Sequence, residues 1–132
     1  MLNKLNQRRG GFTLVEIMIV VAIIALLAAI AVPGFLRARK RSQASKVLND
    51  LRMIDSAVDQ YAIENNKESG AGVAIAAWTD YLKSGTVLFS TGEHPTYGAY
   101  GDQTVDTIPK VPASAFADLS DVAPSTFWAP YY

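Results

Sequence analysis

The sequence predicts an α+β protein: a long, kinked N-terminal helix that leads into and packs on a small C-terminal antiparallel sheet domain. Three observations carry that prediction. Residues 12–36 are an apolar run with a single acid, Glu16. Residues 37–68 change to an amphipathic helical pattern. From residue 69 the chain breaks into short segments punctuated by Gly and Pro, two of which read as strands.

Residues 1–11 read as a basic leader. They hold Lys4, Arg8 and Arg9 and no acid, which favours a cytoplasmic N-terminus. A secretory signal would carry its small-residue cleavage site after the apolar run. Here Gly10-Gly11 stands before it, so the apolar helix is retained.

Residues 12–36 are long enough to cross a bilayer, since at about 1.5 Å per residue they span roughly 37 Å. Between Ile17 and Val32 there are ten Leu, Ile or Val residues. Each contributes roughly −0.3 to −0.6 kcal/mol to insertion, against about +3 for one central charge. Insertion therefore wins despite Glu16. An ionisable group in such a helix is a functional-site candidate, because no water solvates it there. The residues alone also admit an interfacial carboxylate that tolerates its position near the helix start. Pro33 and Gly34 near the end of the run predict a kink, because Pro removes one helical hydrogen bond and Gly weakens the turn.

Arg37, Arg39, Lys40 and Arg41 follow the run and read as a solvated collar near lipid headgroups. Four cations without interleaved aromatics do not point to nucleic acid. Beyond them Ala44, Val47, Leu51, Ile54, Val58 and Tyr61 step by three and four residues, with Leu48 and Ala62 widening the stripe and Asp50, Arg52, Asp55, Asp59 and Glu64 assigned to other faces. The helix is expected to end near Asn65-Asn66. Residues 73–83 then read as a second helix, residues 86–90 and 103–108 as strands, and Phe127-Trp128 as an edge strand.

Composition limits the chemistry. Fewer than 100 residues remain for the C-terminal domain, and the chain has no cysteine, so neither disulfides nor thiolate-zinc sites support its small core. Without Lys4, Arg8 and Arg9 the side chains count nine cations against twelve acids. His94 is the only histidine and reads as a satisfied or solvent-facing loop residue; multi-histidine metal sites are excluded within one chain. No catalytic residues are marked out, and no enzyme activity is expected. Asp102 with Asp106, or Asp118 with Asp121, supplies oxygen donors suited to calcium, but neither pair fits an EF-hand loop. The tail aromatics Phe127, Trp128, Tyr131 and Tyr132 are expected to pack against the sheet.

The string Gly11-Phe12-Thr13-Leu14-Val15-Glu16, followed by Ile17-Met18-Ile19-Val20-Val21-Ala22-Ile23-Ile24 and Pro33, resembles the N-terminal signature of type IV pilins and type II secretion pseudopilins. The resemblance implies a lollipop-shaped subunit in the inner membrane, with its N-terminus cytoplasmic, that enters a periplasmic or cell-surface filament. It implies cleavage by prepilin peptidase between Gly11 and Phe12, N-methylation of Phe12, and pairing of Glu16 with an N-terminal amine during assembly. The implied partners are identical or related pilin subunits, prepilin peptidase, an inner-membrane assembly platform and, before assembly, membrane lipid. Calcium is known in the C-terminal loop of some major pseudopilins; no other cofactor is implied. A single-span inner-membrane protein whose outer domain binds a ligand and never polymerises is the alternative class.

Overall fold

The computed structural model describes residues 10–132. The leader cations Lys4, Arg8 and Arg9 lie outside the described residues. Helix α1 runs from Leu14 to Glu64 without interruption, through Pro33. The chain divides into a unit ending at Leu36 and a unit Arg37–Tyr132. In the first unit every large apolar side chain from Phe12 to Leu36 is exposed.

The second unit is built on the amphipathic part of α1. Behind it come β1 (Gly72–Val73), α2 (Ile75–Thr79), α3 (Val87–Thr91), β2 (Glu93–His94), β3 (Gly98–Ala99), β4 (Gln103–Thr104), α4 (Ala113–Leu119) and α5 (Ser125–Trp128). The strands form two small antiparallel ladders. β1 pairs with β4, setting Gly72 opposite Thr104, and β2 pairs with β3, setting His94 opposite Gly98. The α+β class follows, with short helices contributing more than the strand-like patterns imply.

Two apolar clusters, each with a fully buried tryptophan, form the core. Ala44, Val47 and Leu51 pack with Ala115, Leu119, Ala123, Trp128 and Tyr131. Ile54, Ala57, Val58 and Ala62 pack with Val73, Trp78, Leu88 and Val105. Each indole also donates a hydrogen bond, Trp128 Nε1 to Ala123 O at 3.0 Å and Trp78 Nε1 to Gly101 O at 3.3 Å. A large ring therefore fills the core without stranding its N–H.

Four segments differ from expectation. Residues 86–90 read as a strand, yet α3 occupies that stretch. Thr86 caps it by accepting the Phe89 N–H at 3.1 Å, and Gly92 closes it in a left-handed conformation at φ 66°. Capping at both ends outweighs the strand preference of Val87 and Phe89. A Cβ at Gly92 would also collide with the Ile75 side chain. Phe127 and Trp128 lie in the one-turn helix α5, and Trp128 and Tyr131 pack against α1 and α4 instead of a sheet. Residues 103–108 contribute only β4, because Asp106 turns the chain at φ 59°. The helix expected over residues 73–83 is shorter: Val73 ends β1 before α2 begins.

Asp50 also departs from its expected polar face. It is buried, and Tyr100 Oη–H donates to its Oδ2 at 3.1 Å, joining α1 to the segment after β3. His94 is buried rather than solvent-facing. Its Nδ1 accepts the Thr96 N–H at 3.1 Å, its ring stacks on Tyr97 with centroids 5.0 Å apart, and its Nε2 has no hydrogen-bond partner. Because Nδ1 is the acceptor, the neutral ring carries its proton on Nε2.

Core position and exposure give opposite expectations for two apolar residues of α1. Leu51 is fully buried between α4 and Trp128, whereas Ile63 is 77% exposed. Leu51→Ala is expected to cost about 3 kcal/mol by leaving a cavity. Ile63→Ala is expected to stay within about 0.5 kcal/mol. Urea unfolding of the detergent-solubilised chain measures both.

Burial lowers the His94 pKa below the ordinary 6.5; Asp50 opposes this and Lys46 adds to it. The folded domain then binds fewer protons than the unfolded chain as pH drops through 6.5. The His94 contribution is intact above 6.5 and is lost as pH falls toward the depressed native value. Asp50 works in the opposite sense at lower pH, because burial raises its carboxyl above the usual 3.8 despite the Tyr100 bond. The urea midpoint is expected to fall between about pH 7 and 5.5, and His94→Gln should flatten that slope.

Candidate functional site

The N-terminal edge of α1 concentrates the features the sequence marks out. Gly10, Gly11, Phe12 and Thr13 precede the helix, and Phe12 is 84% exposed. A Cβ at Gly11 would meet nothing within 4 Å among the described residues, and its backbone is outside the left-handed region. The described residues thus place no steric demand for glycine there.

Thr13 and Glu16 form a reciprocal cap. Glu16 N–H donates to Thr13 Oγ1 at 3.1 Å, Thr13 N–H donates to Glu16 Oε2 at 3.0 Å, and Thr13 Oγ1–H donates to the same oxygen at 3.1 Å. Two of the N–H groups that a helix start leaves unpaired are satisfied in this way. The cap also turns the Glu16 carboxylate back over the first turn, onto the amide next to Phe12. The negative group sits at the positive end of the helix dipole. Thr13 was not singled out as a site residue from sequence, although Thr-x-x-Glu before an apolar run is a readable capping signal.

Behind this cap α1 has an apolar stretch long enough to cross a membrane, none of it buried within the chain, with a mean hydropathy of 3.0 over eighteen residues. Leu, Ile and Val occupy every face of the helix. Pro33 and Gly34 are exposed and lie inside the continuous helix.

The collar cations have different fates. Lys40 Nζ donates to Asp118 O at 2.8 Å and to Asp121 Oδ1 at 3.1 Å, and lies 3.7 Å from Asp118 Oδ1. This places a cation on one of the last carbonyls of α4, a favourable position for the helix dipole. Arg37, Arg39 and Arg41 are exposed. Lys40 therefore engages the Asp118 and Asp121 pair considered for calcium. Asp102 of the other pair accepts the Ile75 N–H at the start of α2, at 3.0 Å, while Asp106 occupies its left-handed turn.

Residues 6–32 match the prokaryotic N-terminal methylation motif. Among curated proteins, the type IV major pilin protein PilA of Myxococcus xanthus is 42% identical over 67 residues, covering 51% of this chain and 30% of that protein. Type II secretion system core protein G of Klebsiella pneumoniae is 38% identical over 61 residues, covering 46% and 44% respectively. The type IV major fimbrial protein FimA of Dichelobacter nodosus is 38% identical over 98 residues, covering 74% and 60%. The chain thus spans between 30% and 60% of the length of these relatives. No solved structure matches it. The chain thus carries the prokaryotic N-terminal methylation motif and is similar, over part of their length, to type IV pilins and to type II secretion core protein G.

Proposed function

We propose that this chain is a structural subunit of a helical filament of the type IV pilus or type II secretion kind. The observation that carries this reading is the apolar half of α1, exposed on all faces and headed by the Thr13–Glu16 cap. Before assembly, lipid covers that surface and the helix anchors the chain in the inner membrane, with the N-terminus cytoplasmic. In the filament, the same surface packs against other copies. No reaction centre is required for this role. The relatives are named as pilin, fimbrial and secretion-system core proteins.

Maturation precedes assembly in this reading. Prepilin peptidase cuts between Gly11 and Phe12, and the new amine on Phe12 is methylated. Glu16 then lies four residues from a cation on nearly the same helical face, within its own copy or a neighbour. Pairing removes the penalty of an isolated buried charge; stranding one partner commonly costs about 3 to 5 kcal/mol. An incoming subunit in the correct register satisfies both charges. A slipped one leaves them stranded.

Mass spectrometry of the N-terminus tests the processing step. Since nothing among the described residues crowds Gly11, Gly11→Val should block maturation by obstructing the peptidase, and the leader should remain attached. Recovery of Gly11→Val protein beginning at Phe12 would rule out cleavage at this site.

The Glu16 cap allows a sharper test than simple truncation. A glutamine at this position of a capping box still reaches back to the Thr13 N–H, so Glu16→Gln keeps the cap and removes only the charge. Glu16→Gln is expected to insert and be cleaved normally but to assemble poorly, as is Glu16→Ala, while Glu16→Asp retains partial assembly. Filament yield by electron microscopy is the measurement. Wild-type yield from Glu16→Gln would assign the glutamate to helix capping alone.

A further inference from the structure

The collar cations are unequally satisfied. Lys40 is held by Asp118 and Asp121, whereas Arg37, Arg39 and Arg41 are exposed and form no ion pair within 4.0 Å among the described residues. Four cations thus face two acids, which leaves this end of the second unit positive.

Lys40 also decides what lies beside the collar. By holding the end of α4 it brings the α4–α5 connection next to the first turns of the unit. There Arg41, Ala44 and Ser45 of α1 line a groove of about 310 Å³ together with Val122 and Phe127. The floor is apolar, formed by the buried Ala44 and the half-buried Val122 and Phe127. The polar groups are the Arg41 guanidinium and the Ser45 hydroxyl, one turn apart on α1. No acid is among the lining residues, and Asp121, next to Val122 in the chain, already holds Lys40.

A cation and a hydroxyl beside an apolar floor match an amphiphilic anion. The two oxygens of a phosphodiester suit the guanidinium fork, while the carbons attached to it cover Val122 and Phe127. Position along α1 selects the amphiphile. Arg41 lies five residues beyond Leu36, the end of the apolar run. That is about 7.5 Å of helix rise, and the headgroup layer beyond the hydrocarbon core is roughly 5 to 7.5 Å deep. Helical side chains also lean toward the N-terminus, which aims Arg41 and Ser45 back at that layer.

We propose that this groove binds the headgroup of one anionic phospholipid, with its phosphate on Arg41 and Ser45. The proposal rests on the membrane-anchored stage of the proposed function and adds to it a lipid preference. Arg37, one turn from Arg41 toward the apolar run, strengthens the attraction for a negative headgroup. A zwitterionic headgroup brings its own ammonium against the two arginines and is disfavoured. Arg39 is on the opposite side of the helix, away from the groove.

Native mass spectrometry of the full chain tests the site, using neutral detergent with equimolar phosphatidylglycerol and phosphatidylcholine. The wild-type chain is expected to retain phosphatidylglycerol about fivefold over phosphatidylcholine. Arg41→Gln and Ser45→Asp, both at exposed positions, should each bring that ratio below about twofold, and Arg39→Gln should leave it unchanged. Equal losses from Arg39→Gln and Arg41→Gln would overturn the groove in favour of a diffuse charged collar. Retention of inorganic phosphate supplied in place of lipid would assign the groove to a free anion and overturn the lipid proposal. Alkaline extraction of membranes from expressing cells tests anchoring separately. Release of the chain would overturn the membrane-anchored reading; a chain that resists extraction but shows no lipid preference would overturn this proposal alone.

Discussion

An apolar helical surface that none of the described residues covers is the constraint on which the other features depend. An amphipathic helix solves its burial problem by turning one stripe inward. The first half of α1 has no such stripe; its large side chains are exposed all round. A surface of this kind is stable in lipid or against other helices and unstable in water. Membrane anchoring and polymerisation are two solutions to the same problem. Passing between them changes what covers the helix, not whether it is covered.

The C-terminal unit meets a different problem, a small core without covalent support. It has no disulfide, so Trp78 and Trp128 each anchor an apolar cluster on one stretch of α1, and polar contacts fix the register between elements. The Asp50–Tyr100 bond ties α1 to the segment after β3, and Lys40 ties it to the end of α4. Burying Asp50 and His94 has a cost that the hydrogen bonds only partly offset, and their shifted pKa values record it.

Much of this was legible in the sequence where long periodic patterns apply. The apolar run, the stripe from Ala44 to Ala62 and the end of α1 near Asn65 follow from spacing alone. The short elements were not. Over five residues a strand pattern and a helix pattern cannot be separated, and at residues 86–90 the Thr86 cap and Gly92 decided between them. Asp50 was assigned to the polar face because its partner, Tyr100, is fifty positions away. At the functional end Glu16 stood out as a lone acid, but its partnership with Thr13 needed the capping pattern to be read as well. The processing and assembly roles proposed for Gly11, Phe12 and Glu16 rest on family resemblance rather than on periodicity.

Glu16 links the two solutions to the covering problem. In a single copy its charge is held by Thr13 and the helix dipole. Among the packed helices of the proposed filament it needs a cation, and the Phe12 amine that the proposed cleavage would create supplies one. Electron cryomicroscopy of filaments sheared from expressing cells tests this directly. The helices from Phe12 to Leu36 of all copies should pack together along the filament axis, with each Glu16 carboxylate within hydrogen-bond reach of a Phe12 amine. Filaments whose core is built without these helices, or a chain found only in the membrane with residues 1–11 still attached, would contradict it.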